Sequence, residues 1–259
     1  MNNPIGVIDS GVGGLSIASK LIEKLPNESF IYLADSKNLP YGVKSNKEIY
    51  SLTKKMIGFL LTQEIKLLVI ACNTITVTCI DSLRVEYPNL PIVGIVPVIK
   101  TAVEKTKKER IGIYSTLVTA RSKYQENLIK QFSKGCFVLN LGSSELASLV
   151  ENLNFSLMDK VLKKELRLFK NANIDALALG CSHFPLIEDK MQRYLPGVLI
   201  LDSSDAVCRQ AQRILVHNNL VSKNQKPSYN FYTTGELKAM EYFTNKLTIK
   251  ARIERISLQ

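Results

Sequence analysis

Short apolar runs alternate with longer amphipathic stretches along almost the whole chain. The runs at 5–9, 30–34, 66–71, 92–94, 110–114, 137–141, 176–179 and 198–201 read as strands, and 230–233 as a further one. Between them, apolar residues recur at helical spacing over 15–25, 47–63, 75–87, 120–132, 144–153, 157–170, 185–194 and 204–218. Near-continuously apolar strands separated by amphipathic helices predict an α/β fold with largely parallel sheets, because the crossover helices cover both faces of such strands.

The pattern also repeats. The segments GVIDSGVGGL (6–15) and GIYSTLVTAR (112–121) both leave a strand through small or polar residues and enter a helix. A second matched pair, LLVIACNT (67–74) and ALALGCSH (176–183), follows in the same order. Two similar, pseudo-symmetric α/β domains are predicted, joined by a hinge near 95–97. Sites form between such halves, at the carboxyl ends of their strands.

Composition narrows the class. The chain has 259 residues, 46% of them hydrophobic, enough for one large core or two ordinary ones. No apolar run approaches the roughly 20 residues that cross a bilayer, which argues against a membrane protein. The first strand is reached by Ile5 without a basic or apolar leader, so a cytoplasmic location is expected. Five widely spaced cysteines without a C-x-x-C pattern read as reduced thiols. The net charge of +11 invites a nucleic-acid-binding reading, but the lysines are scattered. Their densest cluster, Lys105, Lys107, Lys108 and Arg110, is short and interrupted by Glu109. A solvated basic surface that attracts an anionic substrate fits better than a nucleic-acid partner. A homodimer is left open.

Candidate chemistry collects at the ends of strands. Asp9, Ser10, Gly11, Gly13 and Gly14 form a glycine-rich turn into a helix, suited to a phosphate or carboxylate. The dinucleotide pattern fails at Ser16, and Asp9 stands where a pyrophosphate would rest, although Asp35 lies where a ribose-binding acid would be. With two histidines far apart, no metal site is expected. Cys79, Cys136 and Cys208 fall within regular elements and read as packing residues, whereas Cys72 and Cys181 each close an apolar run. One thiolate can take a proton from a carbon while one thiol returns a proton to the opposite face, inverting a stereocentre. Two cysteines at equivalent places in two halves meet that need; a Cys–His hydrolase needs one. His183, two residues beyond Cys181, either tunes a thiol or binds substrate.

Taken together, DSGVGG (9–14), PYG (40–42), ACNT (71–74) and GCSHFP (180–185) resemble, in order and spacing, the four signatures of glutamate racemases, and the likeness covers the whole chain. The resemblance implies a cofactor-independent enzyme that interconverts L- and D-glutamate and supplies D-glutamate for peptidoglycan. It implies two α/β domains with the active site in the cleft between them, the first completed by the C-terminal segment: residues 1–96 with 208–259, and residues 97–207. Cys72 and Cys181 would be the acid/base thiols, the first acting on the D- and the second on the L-enantiomer. Asp9 and His183 match positions that assist proton transfer, and Glu151 in SLVEN matches a further helper on a looser motif. Asp9, Ser10, Tyr41, Gly42, Asn73, Thr74, Ser182 and His183 align with substrate contacts, and Thr116 and Thr119 resemble a pair that holds a substrate carboxylate. Ser182 for the usual Thr, Ile75 for a common Ala and Ser115 for a frequent Gly depart from the pattern. An aspartate racemase of the same superfamily is the nearest alternative.

Overall fold

The computed structural model describes residues 3–95 and 98–258. The first half opens with β1 (Ile5–Asp9), α1 (Leu15–Lys24), β2 (Phe30–Ala34), α2 (Asn46–Leu61), β3 (Leu67–Ile70), α3 (Asn73–Glu86) and β4 (Ile92–Gly94). The second runs through α4 (Ile99–Lys105), β5 (Arg110–Thr116), α5 (Leu117–Ala120), α6 (Lys123–Phe132) and β6 (Phe137–Ser143). It continues with α7 (Leu146–Glu151), α8 (Phe155–Asn171), β7 (Ala176–Gly180), α9 (Glu188–Tyr194) and β8 (Leu199–Leu201). The chain then returns through α10 (Ser204–His217), β9 (Tyr229–Thr233), α11 (Leu237–Lys246) and β10 (Arg252–Arg255).

Every strand pairing is parallel, in two sheets. The six-stranded sheet has the order β10-β9-β2-β1-β3-β4 and the four-stranded sheet β6-β5-β7-β8. Within the first, β2-β1-β3-β4 repeats the arrangement of the second, with the earliest strand between the next two and the fourth at an edge. The repeat seen in sequence is therefore a repeat of topology. It makes β3 and β7 equivalent strands. β9 and β10 extend the first sheet, as the expected return of the C-terminal segment requires.

β1, β2, β3 and β7 are buried along their full lengths, as strands covered on both faces must be. A continuous apolar cluster runs from Ile5, Val7 and Val12 in the first half to Tyr114, Leu177 and Phe184 in the second. The halves are thus packed on each other, and the site forms where their strand ends meet.

Several boundaries differ from expectation for local reasons. The helix expected over 120–132 is two: Ser122 accepts a hydrogen bond from the Gln125 amide and starts α6 afresh. The helix expected from 185 begins with a short 3-10 turn, Phe184–Ile187, before α9. The helix expected from Ile75 starts at Asn73, with Cys72 in the capping position. α4, α11 and β10 were not expected from the pattern. Of the hinge expected near 95–97, Ile95 is buried and its amide donates to the Ile70 carbonyl, while Val96 and Pro97, with the division at 96/97, lie outside the described residues. Position 207/208 lies inside α10, which runs unbroken and packs on α1.

Candidate active site

Parallel strands deliver their carboxyl ends to one edge, and both sheets turn that edge toward a shared cavity. From the first half come Ser10 after β1, Leu39 to Gly42 after β2, and Cys72, Asn73 and Thr74 after β3. From the second come Thr116 at the end of β5, Ser143 at the end of β6 with Ser144 and Ala147 beyond it, and Cys181, Ser182 and His183 after β7. The two cysteines, each following one of two equivalent strands, line the same cavity.

On the Cys72 wall, the sulfur lies 3.5 Å from the Ser10 hydroxyl. Asp9 is fully buried behind it; its Oδ1 accepts from the Ser10 amide at 2.7 Å, and its Oδ2 accepts from the Gly14 amide. Burial raises the Asp9 carboxyl above its ordinary range, although nearby His183 and the Ser182 hydroxyl pull it down. Burial also pushes the Cys72 thiol well up, and the Asp9 charge adds to the rise. The Ser10 hydroxyl and the Ile75 amide, at the start of α3, oppose that rise without cancelling it. A helix N-terminus ordinarily lowers a thiol. Here desolvation wins.

On the Cys181 wall, the sulfur stands 4.0 Å from His183 Nδ1, and His183 Nε2 is 2.9 Å from Glu151 Oε2. The same carboxylate oxygen accepts from the Val12 amide at 2.8 Å, and Glu151 Oε1 accepts from the Ser36 hydroxyl. Burial disfavours a charged imidazole, but hydrogen bonds to Cys181 and Glu151, reinforced by their charges, carry His183 well above its ordinary range. The glycine-rich turn does cradle anions, and they are internal: Glu151 takes the Val12 amide and Asp9 the Gly14 amide.

Three hydroxyls form a tight group. Thr74 Oγ1 lies 3.0 Å from Thr116 Oγ1 and 3.5 Å from Thr119 Oγ1, and Thr116 donates to Thr119 at 3.0 Å. This cluster joins α3 of one half to α5 of the other. Asn73 is buried, and neither its amide nitrogen nor its amide oxygen has a partner. An unpaired buried donor and acceptor on a cavity wall suit a small polar ligand. Tyr41 donates to Asp35 Oδ2 at 2.7 Å. Asp35, considered above for a ribose, instead holds the Tyr41 loop and accepts from Thr234 at 2.7 Å and from Asn38 at 3.0 Å.

Of the candidates, Ser10, Tyr41, Gly42, Cys72, Asn73, Thr74, Thr116, Cys181, Ser182 and His183 line the cavity. Asp9, Glu151 and Thr119 stand one layer behind, each in contact with a lining residue. Leu39, Ser143, Ser144 and Ala147 also line it and were missed. The signal for Ser143 is register: it pairs with Thr116 across β5 and β6, which needs the sheet to be known. Among the described residues, no three His, Cys, Asp or Glu side chains cluster as metal ligands would.

The sequence model of the Asp/Glu/Hydantoin racemase family matches residues 5–211. A glutamate racemase from Clostridium acetobutylicum is 39% identical over 216 residues, covering 83% of this chain and 84% of its own. The crystal structure of glutamate racemase isoform RacE1 from Bacillus anthracis superposes with a TM-score of 0.87 at 32% identity, covering 99% of this chain and 98% of its own. Glutamate racemase from Francisella tularensis, solved in complex with D-glutamate, gives a TM-score of 0.85 at 32% identity over 100% and 98% of the two chains.

Proposed function

As a member of the Asp/Glu/hydantoin racemase family and an amino-acid racemase, this chain, we propose, interconverts L- and D-glutamate by passing protons between substrate and two thiols. The observation that carries this reading is the meeting of Cys72 and Cys181, borne on equivalent strands of two like sheets, in one cavity. A flat carbanion between them has one sulfur to each face.

In the D-to-L direction, Cys72 as thiolate takes the Cα proton, and the electron pair stays on Cα, delocalised into the carboxylate. Cys181 as thiol then gives its proton to the opposite face, leaving a thiolate there and a thiol at Cys72. The L-to-D direction reverses both transfers. Asp9 stands behind Cys72, and the Glu151–His183 pair supports Cys181. The threonine cluster and Asn73 supply hydroxyl and amide contacts for the substrate's carboxylates and ammonium.

The two walls approach each other at Gly42 and Thr116, where a Cβ built on Gly42 would stand 3.0 Å from the Thr116 Cβ. We assign residues 1–96 with 208–259 to one half and 97–207 to the other, except that the first turn of the unbroken α10 goes with the first half because that helix packs on α1. Among the described residues, no helix is long and apolar enough to cross a membrane; we place the enzyme in the cytoplasm, supplying D-glutamate for peptidoglycan.

The test is isotopic. Given L-glutamate in heavy water, the protein yields D-glutamate deuterated at Cα, and given D-glutamate it yields the labelled L-enantiomer. No exchange and no inversion in folded protein would reject the reading. Faster turnover of aspartate than of glutamate would reject the substrate.

A further inference from the structure

We propose that the Asp35–Ser36 pair at the end of β2 is a positioning element for both walls, Ser36 orienting the Glu151–His183 pair at Cys181 and Asp35 orienting Tyr41 on the Cys72 side. This rests on the racemase reading above and goes beyond it, because neither residue touches the cavity.

Asp35 follows the last residue of β2, and Ser36 opens a short 3-10 turn, Ser36–Asn38. At that turn the side chains part, Asp35 staying with Tyr41, Asn38 and Thr234 of its own half and Ser36 reaching Glu151 of the other. Asp35 is 1% exposed and accepts from Tyr41, Thr234 and Asn38, which compensates its buried charge with donors rather than with a cation. Tyr41 cannot swing away from the cavity without taking one of that carboxylate's three donor side chains with it. Ser36 donates to Glu151 Oε1, while Oε2 holds the Val12 amide and faces His183 at 2.9 Å. Held at both oxygens the carboxylate cannot rotate; held at Oε2 alone, by Val12 and His183, it can. Glu151 comes from α7 in the other half, so the Ser36 hydroxyl fixes across the domain boundary the acceptor that sets the His183 ring. The Ser36 proton itself stays in place during turnover.

Two enantiomers are equally stable, so kcat/KM in the two directions stays equal in any variant and cannot tell the walls apart. Isotope effects can. With α-deuterated glutamate, impairing the Cys181 wall makes proton transfer at that sulfur more rate-limiting. The isotope effect on kcat/KM then rises for the L-enantiomer, whose deuteron Cys181 removes, and falls for the D-enantiomer.

The experiment measures both directions for Ser36→Ala, Ser36→Thr and Tyr41→Phe. Ser36→Ala is expected to lower kcat about tenfold, as loosened positioning does, with KM little changed and the isotope effects moving in opposite senses. Ser36→Thr restores both. Tyr41→Phe, which removes the hydrogen bond to Asp35, raises KM several-fold for both enantiomers without the L-directed asymmetry. Wild-type rates and isotope effects in Ser36→Ala would overturn the proposal. So would effects that move together for both enantiomers, or a variant that does not fold, since either makes the hydroxyl merely structural. Exchange by the unaltered protein is measured first, so that failure of the racemase reading is seen separately.

Discussion

Gly13 lies so close to His183 that a Cβ at that position would sit 2.5 Å from the ring's Nδ1 and 2.6 Å from the His183 amide nitrogen. The turn after β1 in one half therefore forms the seat of the acid/base residue in the other. Gly13→Ala must displace backbone, not only a flexible side chain. Overpacking of this kind costs about 1–3 kcal/mol, and a shift near 1 Å at reacting groups costs on the order of 100-fold in rate. Far-UV circular dichroism is expected to stay native while turnover falls by about that factor. Native turnover in Gly13→Ala would show that the Cys181 wall adapts freely.

Each thiol is expected to be required separately. Cys72→Ser and Cys181→Ser replace an ionisable group with a hydroxyl, a far weaker acid. Loss of a general acid or base costs roughly 10²- to 10⁴-fold, and racemisation should fall within that range for each variant. Cys79→Ser and Cys208→Ser, in the buried cores outside the cavity, should alter stability and leave kcat unchanged. Equal loss of kcat in all four would separate the thiols from the chemistry.

Alkaline pH should unfold the protein earlier than its charge alone suggests. Burial pushes Cys79 and Cys208 up to about 12, and Cys72 rises further. An unfolded thiol titrates near ~8.5. A folded pKa above the unfolded one means that the folded state keeps its proton longer. The stabilisation is whole below the unfolded value and is lost as pH climbs from about 8.5 toward 12. Each such thiol contributes a loss of about 1.4 kcal/mol per pH unit in that window. Urea midpoints taken between pH 8 and 10.5 should fall steeply, and Cys79→Ala with Cys208→Ala should flatten the slope. An unchanged slope would mean that these thiols ionise in place.

What could be read in the sequence was set by burial. β1, β2 and β4 fall where the apolar runs lie, because strands covered by helices stay apolar until their carboxyl ends, where Asp9, the last residue of β1, is the first polar one. β10, with the sequence RIER, is a charged edge strand whose residues are half-buried or exposed, so no apolar run marks it. α4 is a seven-residue helix, too short for a helical period to stand out. At the site, the cysteines announced themselves by residue type. Ser36 did not: its role exists only because α7 of the other half brings Glu151 to it. Contacts across the boundary between the halves carry no local pattern, and that is where the unread part of the site lies.

A buried ion pair at the opposite edge of the first sheet should dominate its stability. Lys66 Nζ stands 2.5 Å from Glu28 Oε2, with both side chains 3% exposed, as an ion contact rather than an aligned hydrogen bond. Lys66 also donates to the Leu220 carbonyl at 2.7 Å, and Glu28 Oε1 accepts from the Ser222 amide at 2.8 Å. The pair thus pins the segment after α10 beneath β3, where the chain turns back to supply β9 and β10. Removing one partner leaves an uncompensated buried charge, which costs about 3–5 kcal/mol, whereas replacing both with apolar groups of similar volume is often neutral. Lys66→Met and Glu28→Leu should each lower stability by that amount in urea unfolding, and the double variant should recover most of it. If the single losses simply add, the two charges are not coupled, and the segment after α10 is held by its backbone contacts alone.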